Sequence, residues 1–136
     1  MDPGDRQLQA APFHARRYAD FWPHYLHQHT LPATRACHIV GSFAALALLV
    51  VALASARWWL LPLVPAAGYG PAWLAHAAIE KNAPATFYAP LRSLVADWHM
   101  IGLWLAGRLR PELRKYHVVP GESLRPVQTG SSADSA

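Results

Sequence analysis

At 136 residues the chain has room for one domain. It is 53% hydrophobic and only 15% charged, poor in charge for a soluble domain, and its net charge of +4 comes mostly from arginines flanking apolar segments. That placement suits anionic lipid headgroups and argues against a nucleic-acid partner, because no basic run alternates with aromatics on a soluble element; the single cysteine, Cys37, excludes an intrachain disulfide and a cysteine-based zinc site.

Residues 1–12 are polar, contain Pro3 and Gly4, and are expected to be disordered; they lack the apolar core of a cleaved signal peptide. Residues 13–30 carry Phe13, Tyr18, Phe21, Trp22 and Tyr25 among Arg16, Arg17 and several histidines, with Pro23 in the middle. This pattern predicts an interfacial helix, or two short ones, with aromatic rings at headgroup depth. Ile39 to Ala56 is eighteen uncharged residues rich in Ala, Leu and Val, a candidate membrane span with small residues at Gly41, Ser42, Ala44, Ala45 and Ala47 for close helix contact. Arg57 and the pair Trp58–Trp59 mark an interface and a tight turn. Trp58 to Ile79 is a second uncharged stretch of twenty-two residues, interrupted by Pro62, Pro65, Gly68, Gly70 and Pro71, which neighbouring helices can tolerate in a membrane. Pro84 ends it, since the residue before a proline avoids the helical region. Leu91 to Gly107 is apolar but shorter and holds Asp97 and His99; Arg108, Arg110, Arg114 and Lys115 follow. The tail from 119 to 136 is rich in Pro, Gly, Ser and Thr and reads as disordered.

The expected fold is therefore an all-α membrane protein with one helical domain over 13–118. Two transmembrane helices form a hairpin, beside an N-terminal interfacial helix and a third short membrane or interfacial helix. Arg6, Arg16, Arg17 and Arg35 precede the first span, Arg57 alone separates the two, and Lys81 and Arg92 follow, so the positive-inside rule puts both hairpin ends and both termini on the cytoplasmic side. A full third crossing would export the arginines after Gly107 and bury Asp97 in lipid, which favours a half-inserted third helix.

With that topology His38 caps the cytoplasmic start of the first span and His76 lies near the cytoplasmic end of the second. Glu80 shares a helix face with His76, His27 and His29 precede the first span, and Asp97 follows the second. Imidazoles with a nearby carboxylate suit iron, zinc or copper, with open positions for substrate and oxygen; the carboxylate binds the metal or fixes a ligand tautomer. His76-Ala-Ala-Ile-Glu80 lacks the second histidine of a zincin motif. The plain alternative is a structural polar cluster, and His14, His24 and His117 read as polar anchors or helix caps.

The segments Phe21–Gly41 (FWPHYLHQHTLPATRACHIVG) and His76–Met100 (HAAIEKNAPATFYAPLRSLVADWHM) resemble a family of small membrane proteins long catalogued as a domain of unknown function. Its characterised eukaryotic members act in phytosphingosine breakdown as iron(II)-dependent dioxygenases of 2-hydroxy fatty acids. The resemblance runs over roughly residues 18 to 108. Tyr25, His29, Arg35, His38 and Gly41 match in the first block. In the second, His76, Glu80, Asn82, Pro84, Ala85, Phe87, Pro90, Ser93, Leu94, Asp97 and Met100 fall in register with bacterial members, whereas His27 and His99 fall outside the pattern. The resemblance implies His29, His38 and His76 as Fe2+ ligands with Glu80 close by; Glu80 and Asp97 are the carboxylates expected in the catalytic site, in a protein expected in a bacterial inner membrane. It further implies alpha-oxidation, in which a 2-hydroxy fatty acid and O2 meet at the metal, Arg35, Lys81 or Arg92 neutralises the carboxylate, and an acid one carbon shorter results. A non-catalytic scaffold and a zinc-dependent lipid hydrolase are the competing readings, and self-association as a homo-oligomer is allowed.

Overall fold

Five α-helices, two short 3-10 turns and one π turn make up residues 17–122, the part of the chain that the computed structural model describes, with no strand among them. They are α1 (Tyr18–His27), α2 (Pro32–Ala54), α3 (Leu63–Ala75), α4 (Pro90–Leu105) and α5 (Leu109–Lys115).

Pro32 opens α2. Its fixed φ suits the first helical position, and it holds Leu31 before it in an extended conformation (φ −89°, ψ 137°). The helix thus begins seven residues before the uncharged stretch does, and His38 lies inside it, not at its start. Apolarity begins at Ile39, but the Thr34-Arg35-Ala36-Cys37 turn is equally able to be helical. Ala56, left-handed at φ 51°, ends α2 by letting the Arg57 N–H reach back to Ala52 O at 3.0 Å. At 23 residues α2 is the one described helix long and apolar enough to cross a membrane.

The second apolar stretch differs from the single span expected. It is divided into a 3-10 turn at Trp58–Leu60, the 13-residue α3 and a π turn at His76–Glu80. Prolines at 62, 65 and 71 remove backbone donors and shorten the regular helix. Even so, α2 and α3 pack as an antiparallel pair, brought together at Gly41 and Gly68. A Cβ on Gly41 would lie 2.6 Å from the Gly68 carbonyl oxygen, so only glycine permits this approach.

The N-terminal aromatics also depart from expectation. Phe21, Trp22 and Tyr25 are buried in a protein core with Leu26, Ala96, Met100 and Leu109, so their rings face protein and not lipid headgroups. The face of α4 with Ala96 and Met100, together with Leu109 of α5, offers a closer apolar partner than lipid. The short third helix is present as α4, whose 16 residues bury Ser93, Ala96, Asp97, Met100 and Ile101. Gly107 at φ 69° turns the chain into α5, a helix not foreseen, where Glu112 accepts a 3.0 Å hydrogen bond from Trp22 Nε1. Residues 119–122, which fall in the expected tail, are among the described residues, and the Gly121 N–H donates to Thr30 Oγ1 at 3.2 Å. Residues 1–16, which include the expected disordered start and the first part of the expected interfacial helix, and 123–136 lie outside the described residues.

His24 on α1 donates to Tyr88 at 2.8 Å, and burial, with the charge of His27 second, pushes its pKa down to about 4. Above the ordinary value of 6.5 His24 is neutral whether folded or not; below it the unfolded chain takes a proton that the fold refuses. Stability is therefore expected to fall with pH from about 6.5 towards 4. Denaturant titrations across that window should show a shallower pH dependence for His24→Gln; an unaltered profile would remove His24 as its source.

Candidate metal centre

Three histidines from three elements converge where the hairpin meets the α1–α4–α5 layer. His29 stands in the loop between α1 and α2, His38 in the second turn of α2, and His76 at the start of the π turn that ends α3. All are buried, at 1%, 4% and 1% exposure. Their Nε2 atoms form a triangle with sides of 3.0, 3.1 and 3.1 Å.

The other ring nitrogens decide what that triangle is. His29 Nδ1 lies 2.6 Å from Tyr25 O, which can only accept, so this nitrogen carries the proton. His38 Nδ1 lies 2.8 Å from Asp97 Oδ1, and the same oxygen accepts the Tyr25 hydroxyl. His76 Nδ1 lies 2.6 Å from Asn82 Oδ1, whose orientation is set by the Asn82 amide nitrogen donating to Gln28 O at 3.1 Å. With all three Nδ1 atoms protonated, neutral rings present three bare Nε2 lone pairs to one another, and none has a proton to share. Protonating His29 is opposed first by burial, then by His38 and His76, which hold its pKa well below the ordinary range. A cation relieves the repulsion. Three nitrogens at this spacing could each lie about 2.0–2.1 Å from one ion, the usual imidazole–metal distance. The donor set fits a divalent first-row metal of the iron, copper or zinc kind.

The π turn shapes this corner. Its wider helical turn closes with Asn82 N donating to His76 O at 3.0 Å and Lys81 left-handed at φ 57°, which brings Asn82 back onto the ring of His76. Glu80 faces the His29 loop: Oε1 accepts from Leu31 N at 2.6 Å and Oε2 from Thr30 Oγ1 at 2.9 Å. Arg35 Nη1 donates to the carbonyls of His29 and Thr30 at 2.7 and 2.9 Å. Glu80 and Arg35 thus grip the loop that carries His29, while Asp97 holds His38. Lys81 is exposed, and Arg92 is half-buried in the first turn of α4; neither belongs to the triangle. His27 donates to Tyr116 O at 2.9 Å, and His99 bonds the Tyr18 hydroxyl at 3.0 Å and stacks on Trp22, so both serve other contacts.

Sequence reasoning did not assign a role to Asn82, Tyr25 or Gln28. Only the register of Asn82 and Tyr25 with the family blocks hinted at one. Thr34, one turn before His38 and on its face of α2, is fully buried with a hydroxyl that has no partner among the described residues. Asn82→Ala frees the His76 tautomer and is expected to weaken metal binding about 10–100-fold, read by chelator competition; unchanged affinity would deny the amide that role.

A buried three-histidine cluster that could hold a metal, in a chain whose described residues are all helical or loop with one helix of membrane length, is the class these observations define. Residues 15–109 match the family described as 2-hydroxy-palmitic acid dioxygenase Mpo1-like, and the chain belongs to that family. No curated protein and no solved structure matches it.

Proposed function

We propose that the protein is an iron(II)-dependent dioxygenase that shortens 2-hydroxy fatty acids by one carbon. The observation that carries the reading is the triangle of unprotonated Nε2 atoms on His29, His38 and His76, in a chain of this family. The overall reaction balances without an outside reductant: the 2-hydroxy acid and O2 give the acid one carbon shorter, CO2 and water. The bond broken joins the carboxyl carbon to the hydroxyl-bearing carbon. Bound iron(II) would be held by His29, His38 and His76 and would supply oxygen activation and a template for the substrate's carboxylate and hydroxyl oxygens.

The protein's own residues set the stage for that chemistry. Tyr25 O, Asp97 and Asn82 hold the three Nδ1 protons and so aim every Nε2 inward. Glu80 keeps the His29 loop in place, and Asp97 acts through His38. Arg35 places a positive charge beside the same loop and is the side chain we assign to the substrate carboxylate, with Lys81 and Arg92 at the outer approach. The buried Thr34 hydroxyl is a ready donor to a substrate oxygen.

Membrane embedding belongs to the same proposal. Along the hairpin the outward-facing Val50, Leu53 and Leu74 are more than half exposed, as suits lipid contact. The α4 stripe of Leu91, Leu94, Val95, Trp98 and Leu105 is exposed as well and lies along one helix face. The hairpin then spans, α4 lies in the interface, and the histidines sit at headgroup depth on the cytoplasmic side, where an amphiphile presents its polar end.

The experiment is anaerobic purification in detergent, loading with iron(II), and mass spectrometry of a 2-hydroxy fatty acid incubated with and without O2. Oxygen-dependent appearance of the acid one carbon shorter is the expected result. Turnover with zinc and no need for O2 would point to hydrolysis, and absence of both product and bound metal to a structural cluster.

A further inference from the structure

A groove of about 490 Å³ lies between α2, α3 and α4, and its walls include Ser42, Ala45, Leu49, Val64, Gly68 and Asp97. Asp97 is the one charged side chain in that wall, and it is also the residue that holds His38 Nδ1 at 2.8 Å. The groove and the histidine cluster therefore share Asp97, although none of the three histidines lines the groove. From there it follows one face of α2: Ser42 is one turn beyond His38, and Leu49 eleven residues beyond it, roughly 16 Å down the helix. That depth is about half of a ~30 Å hydrocarbon core, the reach of one leaflet.

We propose that this groove holds the acyl tail of the substrate, methyl end at Leu49 and Val64, with the polar head at the Asp97 end beside the three histidines. The inference rests on the functional reading above and adds to it where the tail goes and what limits its length. The occupant follows from polarity. The lining from Ser42 to Leu49 and Val64 is apolar except at the Asp97 end, which suits an acyl chain carrying one polar head. Apolar walls with one polar end match a long-chain acid. Gly68 keeps the waist open: a Cβ there would come within 3.3 Å of Ala45 Cβ.

The test uses the full chain in liposomes with a 2-hydroxy fatty acid bearing a diazirine near its methyl end, photolysed and mapped by mass spectrometry. Labels on Leu49, Val64 or residues within a turn of them, displaced by excess unlabelled 2-hydroxy acid, are expected. Leu49→Trp shortens the groove and should lower the ratio of long-chain to short-chain turnover more than 10-fold without changing bound metal. Labels on Val40, Val50 or Leu53 that the acid does not displace would show bulk lipid and overturn the groove, as would no labelling. Displaceable labelling in the groove without oxygen-dependent product keeps the groove and overturns the dioxygenase reading. Product with labelling elsewhere does the reverse.

Discussion

His76→Ala is expected to take up no iron(II) or zinc where the wild-type chain takes up one ion, and to lose oxygen-dependent turnover entirely. The three Nε2 atoms are the proposed donor set, and removing one leaves two nitrogens 3.0 Å apart with no third anchor. Loss of an outer hydrogen bond to a ligand typically costs 10–100-fold in metal affinity, so loss of the ligand itself should exceed about 100-fold. Thermal unfolding gives a readout free of catalysis. An ion at 100 times its dissociation constant stabilises the fold by about 2.7 kcal/mol, and that gain should appear in wild type and vanish in the variant. The metal-free wild type keeps the facing lone pairs, so it has no comparable advantage over the metal-free variant. A wild type whose unfolding ignores added metal would make the cluster a structural one.

The histidines were legible because they bracket two apolar stretches, and a hairpin of those stretches brings their near ends together. Family register singled out the same three. What holds the rings could not be read that way. The Nδ1 partners come from the backbone of Tyr25, from Asp97 on α4 and from Asn82 beyond the π turn, and their arrival depends on how α1 and α4 pack, not on any local pattern. Glu80 was placed near His76 by its spacing of four residues, but the π turn and the loop at Thr30 and Leu31 determine where its carboxylate goes. The helix boundaries were hidden for a different reason. Hydropathy reports where charge stops, so α2 was read from Ile39 although Pro32 starts it. The same signal cannot tell whether aromatics are buried by lipid or by protein, and so Phe21, Trp22 and Tyr25 were read as facing lipid headgroups when Ala96, Met100 and Leu109 cover them. The arginines after Gly107 entered the sequence reading only as charges for the topology, yet Leu109 is buried and Glu112 is held by Trp22, which makes α5 part of the core.

Gly41→Ala is expected to damage the metal centre without touching a ligand. The added Cβ would stand 2.6 Å from Gly68 O and 3.3 Å from Ala67 O. Both are backbone atoms of α3, so no side-chain rotation relieves the contact and the two helices must separate. Overpacking of this kind costs about 1–3 kcal/mol. The displacement falls three residues from His38, whose Nε2 must stay within 3.1 Å of that of His76 at the other side of the same interface. A shift of a few tenths of an ångström there spoils a triangle that an ion tolerates only near its ideal bond lengths, so metal affinity should fall 10-fold or more together with the melting temperature. Gly102→Ala is the matched control. Nothing lies within 4 Å of a Cβ at Gly102, and alanine in a helix interior should stabilise α4 by about 0.5–1 kcal/mol while leaving metal affinity as it was. If Gly41→Ala bound metal as wild type does, the close crossing at Gly41 and Gly68 would have no part in aligning His38 with His76, and the alignment would have to come from the loop that carries His29 and from Asp97 alone.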